Sequence, residues 1–155
     1  MNTITFLKPN LVDIEMISNS KSKIIIQPLE RGFGHTLGNA LRRVLLSSMP
    51  GSAVTEVSID NILHEYTTID GVQEDVLEIL LNIKKLALVL HDKDMIEVEL
   101  RKKGKGPVLA SDIEDHPNLE IKNPDFCIAN MTNEKTELVI NLTISQGKGY
   151  QPAVK

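Results

Sequence analysis

The sequence predicts an α+β fold, and three observations carry that reading. Two segments, His35–Met49 and Val72–Ala87, place apolar residues at helical spacing. Several short stretches around them alternate apolar and polar residues, as strands with one buried face do. After Leu90 no further helix of useful length occurs, so the chain lacks the repeated strand–helix–strand units of a parallel α/β sheet.

The elements follow in order. Val12, Ile14 and Met16 alternate with Asp13 and Glu15, which predicts a half-buried strand. Ser18-Asn19-Ser20 forms a turn, and Lys23 to Leu29 returns as an isoleucine-rich second strand. Gly32 and Gly34 punctuate its end, and a helix runs from His35 until Pro50-Gly51 stops it. At about 100° per residue, Leu37, Leu41, Val44, Leu45 and Ser48 fall on one side of this helix. His35, Asn39, Arg42, Arg43 and Leu46 fall on the other. Arginine keeps fork-shaped hydrogen bonding while its stem covers apolar surface, so two arginines beside a bare leucine suit a protein-binding face. The plainer reading is a solvated face with one stray leucine. Ala53 to Asp60 is strand-like again, with Ala53, Thr55, Val57 and Ile59 on one face and Glu56, Ser58 and Asp60 on the other.

The second helix follows Asp70-Gly71. Glu74 and Asp75 suit the positive end of its dipole, and Lys84 and Lys85 the negative end. Val72, Val76, Leu80, Ile83 and Ala87 line one side, Glu78, Asn82 and Lys85 mark the wet side, and Ile79 and Leu81 widen the apolar stripe onto a second packed flank. The remainder reads as β. Ile96, Val98 and Leu100 alternate with charges, and Gly104 to Pro107 is a loop. Leu119–Lys122 and Phe126–Met131 are short strands separated by Asn123-Pro124-Asp125. Thr132 to Lys135 turns the chain into the alternation of Leu138, Ile140, Leu142 and Ile144.

Composition narrows the function classes. The 155 residues are 41% apolar and 25% charged, ordinary values for a soluble globular chain. With three Phe, two Tyr and no Trp, the core must be aliphatic. A net charge of −4 argues against a sequence-independent grip on nucleic acid, which needs concentrated lysine and arginine. No apolar run approaches membrane-spanning length and no signal-peptide layout opens the chain, so a cytoplasmic setting is expected. The single Cys127 fits a reducing compartment.

Candidate chemistry is sparse. Gly32, Gly34 and Gly38 lie between a strand and a helix, where a dinucleotide-binding loop would cradle a pyrophosphate, and Asp60 could serve as its ribose-binding acid. The competing reading is a tight strand-to-helix turn. Arg42 and Arg43 are the only local feature favouring a DNA-binding module. His35, His64, His91 and His116 are too scattered to suggest a metal site, and Cys127 alternates within a strand as a buried, inert thiol would.

Two long runs carry a family resemblance. GFGHTLGNALRRVLLSSMPG, from Gly32 to Gly51, and AVTEVSIDNILHEYTTIDGVQEDVLEILLNIKKL, from Ala53 to Leu86, resemble the amino-terminal domain of the bacterial RNA polymerase alpha subunit. The likeness extends from FLKPNLVDIE at Phe6 to GKGYQPA ending at Ala153. It implies an assembly scaffold: two alpha subunits dimerise and form the platform for the large catalytic subunits, one contacting beta and the other beta-prime. The enzyme copies DNA into RNA, but alpha supplies no catalytic group and holds no cofactor, since Mg and Zn belong to the large subunits. Direct DNA or membrane contact by this segment is not expected.

By matching positions, the resemblance assigns Arg43, Leu46 and Glu78 to the beta interface, Lys84 to the beta-prime interface, and Leu37, Leu41, Val44 and Leu45 to the dimerisation core. It makes residues 1–50 the first half of the dimerisation domain and residues 51–155 an inserted α+β domain. The family's amino-terminal domain continues beyond the position of Lys155 and precedes a DNA-binding carboxy-terminal domain. The expectation is therefore of a truncated chain that does not form the family's well-defined dimer by itself.

Overall fold

A computed structural model describes residues 7–18, 20–150 and 152. The chain divides into two compact units, the first ending at Met49 and the second beginning at Pro50.

In the first unit, β1 (Leu11–Ser18) and β2 (Lys21–Gln27) form an antiparallel hairpin that pairs Val12 with Ile26, Ile14 with Ile24 and Glu15 with Lys23. Side chains alternate across strands, so Val12, Ile14, Met16, Ile24 and Ile26 share one face. The apolar alternation is therefore real, but the expected burial is not: every residue of β1 is exposed. A two-stranded ribbon has one layer, and no other described layer covers it. The central residue of the expected turn, Asn19, lies outside the described residues. β2 stops one residue before Pro28, which has no N–H to donate to the ladder. Helix α1 (Phe33–Ser48) completes the unit.

The second unit contains β3 (Pro50–Ile59), α2 (Val76–Ile83), β4 (Leu88–Leu90), β5 (Met95–Lys103), β6 (Gly106–Leu109), β7 (Leu119–Ile121), β8 (Cys127–Met131) and β9 (Glu137–Lys148). Five strands form one sheet in the order β5-β9-β3-β4-β7, and β6 pairs with β8 separately. The pairings among the described residues are antiparallel, giving the α+β class that the sequence predicts. The aliphatic core includes Leu138, Ile140, Leu142 and Ile144 from β9, Ile96, Val98 and Leu100 from β5, Ile128 and Met131 from β8, and the inner face of α2.

Three sequence expectations need correction. In β3, the register against β9 slips between Val54 and Glu56. The extra residue reverses the side-chain parity, so Val54 joins Val57 and Ile59 against the core while Ala53 and Thr55 face solvent. The second helix starts at Val76 rather than Val72. Val72 bridges Met131 instead, and the Gln73 N–H donates to Asn130 O (2.9 Å), so tertiary pairing claims the residues that helical spacing assigned to α2. The helix also ends at Ile83, leaving Ala87 exposed with its N–H on Asn123 Oδ1 (2.9 Å). Finally, the Gly104–Pro107 loop is shorter than expected, because Gly106 and Pro107 already belong to β6.

Candidate subunit-docking surface

α1 begins at Gly32, whose φ of 85° is the left-handed geometry that glycine adopts without a Cβ penalty, and ends where Met49 turns extended ahead of Pro50. Gly34 and Gly38 lie inside the helix, not in a loop ahead of it, so the three glycines do not form a phosphate-cradling loop. Because the strand that follows α1 pairs antiparallel, the dinucleotide-fold alternative loses both of its structural requirements.

No residue of α1 is buried. Leu37 is half-buried, whereas Leu41, Val44 and Leu45 are exposed on the side the sequence assigns to a core. Leu46 is 66% exposed on the other side. Arg42 Nη2 donates to Asn39 Oδ1 (3.2 Å), which ties one guanidinium to its own helix. Arg43 has no side-chain hydrogen bond or ion pair among the described residues, although its carbonyl accepts from Ser47 Oγ (2.8 Å). Arg43 and Leu46 are three residues apart and therefore neighbours on one helix face.

α2 is fixed at both ends. The Glu78 N–H donates to the Asp75 carboxylate (2.7 Å), a side-chain cap that satisfies one of the free donors of the first turn. Glu74, the other acid expected to serve the dipole, instead accepts from the backbone and side-chain N–H groups of Asn130 (2.6 and 2.8 Å). Val76, Ile79 and Ile83 form the buried face, and Asn82 Nδ2 donates to Ile128 O (3.0 Å), holding the helix against β8. Ile79 is the centre of the packed face, not its margin, and Leu81 is exposed instead of packed on a second flank. Glu78 and Lys84 are also exposed. Leu77 and Leu81 are surface residues that helical spacing alone did not single out. The signal was Ile79: once it occupies the centre of the buried face, Leu77 and Leu81 must turn outward.

Some charges elsewhere pair. Lys102 Nζ meets Asp112 Oδ1 (2.8 Å), and Arg101 meets Glu99 (2.7 Å) and Glu137 (3.4 Å). The hydrogen bond from Arg101 to Glu99, then their charge attraction, raises the guanidinium pKa. Lys122, hydrogen-bonded to Glu120, and secondly His91 hold the Glu120 carboxyl below its ordinary value. Arg43, Glu78 and Lys84 have no such ion-pair partner among the described residues.

Other candidate chemistry does not converge. A trough of about 530 Å3 on the solvent side of the sheet is lined by Glu56, Glu97, Glu99 and Glu114 together with Asn141 and Thr143. Among the described residues, no group of three or more His, Cys, Asp or Glu is placed to hold a metal ion. Cys127 is half-buried, not buried as expected, with its thiol directed at Ala129 O (3.4 Å). No described helix is long and apolar enough to cross a membrane.

α2, β4 to β9 and the inner end of β3 fall within residues 57–155, a stretch that matches the RNA polymerase Rpb3/RpoA insert domain. This match spans well over half of the chain, which belongs to that family of bacterial RNA polymerase alpha subunits.

Proposed function

We propose that this chain acts as an assembly scaffold of bacterial DNA-dependent RNA polymerase, dimerising through α1 and recruiting the beta and beta-prime subunits without supplying catalytic groups. The supporting observation is the pairing of exposed apolar residues with charges that have no described partner, on both helices. Leu37, Leu41, Val44 and Leu45 serve as the dimerisation side of α1. Arg43 and Leu46 on its opposite side, with Glu78 on α2, engage beta, and Lys84 engages beta-prime. Residues 1–50 then act as part of the dimerisation domain and residues 51–155 as the inserted domain. Such surfaces gain affinity from a few desolvated anchors, and leucine beside arginine supplies both apolar area and directed hydrogen bonds.

Co-expression of the tagged chain with beta and beta-prime, followed by affinity capture and sedimentation, tests the reading. Recovery of both large subunits with the chain is the expected result, with two copies of the chain held only within that assembly and not in the chain alone. A chain that stays monomeric and captures neither would overturn it.

A further inference from the structure

We propose that Asp70 is a site of spontaneous backbone modification: attack of the Gly71 nitrogen on its side-chain carboxyl gives a succinimide and then isoaspartate, gated by opening of the turn that carries both residues. Asp70-Gly71 is the one Asp-Gly pair in the sequence, and no Asn-Gly pair occurs. Glycine suits the attacking position because no Cβ shields its nitrogen. The pair forms the tip of a turn leading into α2. The Val72 N–H donates to Ile69 O (3.0 Å), and Gly71 takes the third position with a φ of 83°. Asp70 is exposed, and its carboxylate has no hydrogen bond or ion pair among the described residues. The Gly71 N–H likewise has no acceptor among them. Both reacting groups are therefore unengaged, in a part of the chain open to water.

The backbone around them is held, which makes the turn a gate. The Asp70 carbonyl accepts from the Thr136 hydroxyl (3.2 Å) and the Gly71 carbonyl from the Thr132 N–H (2.8 Å). A turn with glycine at this φ keeps the ψ of its second residue at about 120°, which directs the Gly71 nitrogen away from the Asp70 side chain. Ring closure therefore waits for local opening and loss of the Thr136 bond. A C–N bond then forms between the Gly71 nitrogen and Asp70 Cγ. The nitrogen gives up its proton and the carboxyl its hydroxyl, so one water leaves. Water adds back at either imide carbonyl. Cleavage at Cγ restores aspartate, whereas cleavage at the main-chain carbonyl leaves the chain running through Cβ and Cγ, with a free α-carboxylate. That product carries one extra backbone atom where Gly71 has no room beside Thr136 and Asn133. The lengthened turn cannot keep both the Thr132 bond and the Val72–Met131 bridge, so modification unlocks the start of α2.

The test incubates the full chain, its Thr136→Ala and Asp70→Glu variants and a peptide spanning residues 67–75 side by side at neutral pH and physiological temperature. Enzymatic methylation of the free α-carboxylate measures isoaspartate, and electron-transfer fragmentation locates it. Thermal melting establishes that both variants are folded at the start. In the chain, isoaspartate should accumulate at residue 70 ahead of every other aspartate, but more slowly than in the peptide. Thr136→Ala should raise that rate roughly fivefold, the population shift that follows from losing one hydrogen bond of about 1 kcal/mol. Asp70→Glu, whose longer side chain does not close the five-membered ring, should abolish the signal. Aged chain should melt below fresh chain in proportion to its isoaspartate content. No isoaspartate at residue 70 over an interval in which the peptide converts, or no more there than at other aspartates, would overturn the site. Equal rates in the folded chain and Thr136→Ala, or in the chain and the peptide, would overturn the gate.

Discussion

Glu74 holds Asn130 twice: one carboxylate oxygen accepts from its backbone N–H (2.6 Å) and the other from its side-chain amide (2.8 Å). The two residues are far apart in sequence, so this clamp fixes the entry to α2 against β8. Hydrogen bonds to a charged group contribute more than neutral ones, roughly 1.5–3 kcal/mol each. Glu74→Ala is expected to lower stability by about 2 kcal/mol, read by denaturant unfolding, with Glu74→Gln retaining part of it. A cost below about 0.5 kcal/mol would mean that the clamp contributes little.

Gly71 forms the second anchor of that entry. Its φ is 83°, its carbonyl accepts from the Thr132 N–H (2.8 Å), and a Cβ there would collide with the Thr136 hydroxyl. The left-handed backbone alone costs a non-glycine residue about 1–2 kcal/mol, and overpacking typically adds about 1–3 kcal/mol. Gly71→Ala should therefore destabilise by at least about 2 kcal/mol. Thr136→Ala in the same chain should recover the largest share of the steric part, leaving the tight approaches to the Asn133 and Thr136 Cβ atoms and the backbone part, so the two changes should be non-additive. Additive losses in a double-mutant cycle would refute the contact.

These two anchors explain why some of the fold was legible in the sequence and some was not. The strict alternation in β5 and β9 was readable because one face of each meets a continuous core. The β3 bulge left no mark, since Val54 and Thr55 are both plausible inward residues until the pairing with β9 is known. Val72 to Asp75 has helical spacing, but Asn130 and Met131 outbid the helix through contacts distant in sequence. The same holds for the proposed docking residues. The exposure of Arg43, Leu46 and Glu78 followed from their own helices' periodicity. That of Leu77 and Leu81 depended on knowing which isoleucine faces the core.

Acid sensitivity should include a small contribution from the His91–Glu120–Lys122 group. The folded pKa of Glu120 is lowered, first by its hydrogen bond to Lys122 and then by His91. Its stabilisation is therefore present above the unfolded carboxylate value of about 4.3 and is lost as pH falls through the lower folded value. Glu120→Gln is expected to flatten that part of the stability profile, while leaving stability above pH ~6 nearly unchanged because the pair is exposed. Melting temperature against pH, for the two proteins side by side, checks the sign. A steeper acid loss in Glu120→Gln would contradict it.

Arg43→Ala is expected to separate binding from folding. Its guanidinium has no described side-chain partner, so Arg43→Ala should change stability by no more than about 0.5 kcal/mol. Truncating a central interface arginine commonly costs about 2 kcal/mol, roughly thirtyfold in affinity. Within a complete alpha subunit, Arg43→Ala is expected to keep the melting temperature and the dimer but to weaken beta capture by that factor. A large loss of melting temperature, or unchanged beta binding, would remove Arg43 from the interface.

Hydrogen exchange should divide the chain sharply. Leu138, Ile140, Leu142 and Ile144 of β9 are almost fully buried and its backbone pairs with strands on both sides, so its amides should open only with global unfolding. α1 has sixteen residues and none is buried, which leaves its protection to its own hydrogen bonds. Isolated helices of about 12–15 residues are marginal in water, because most helical stability in proteins comes from packing an apolar face. The Leu37–Leu45 segment should accordingly exchange orders of magnitude faster than β9 in the monomeric chain. Leu41, Val44 and Leu45 are about half exposed, so covering them is worth roughly half of the 1.5–3 kcal/mol of full burial per side chain, still a sizeable share of a domain's total stability of about 5–15 kcal/mol. Raising the concentration to drive self-association should then slow exchange in α1 and leave β9 unchanged. Sedimentation measured alongside identifies the oligomer responsible. Strong protection of Leu37–Leu45 in a chain sedimenting as a monomer would contradict the need for a covering partner.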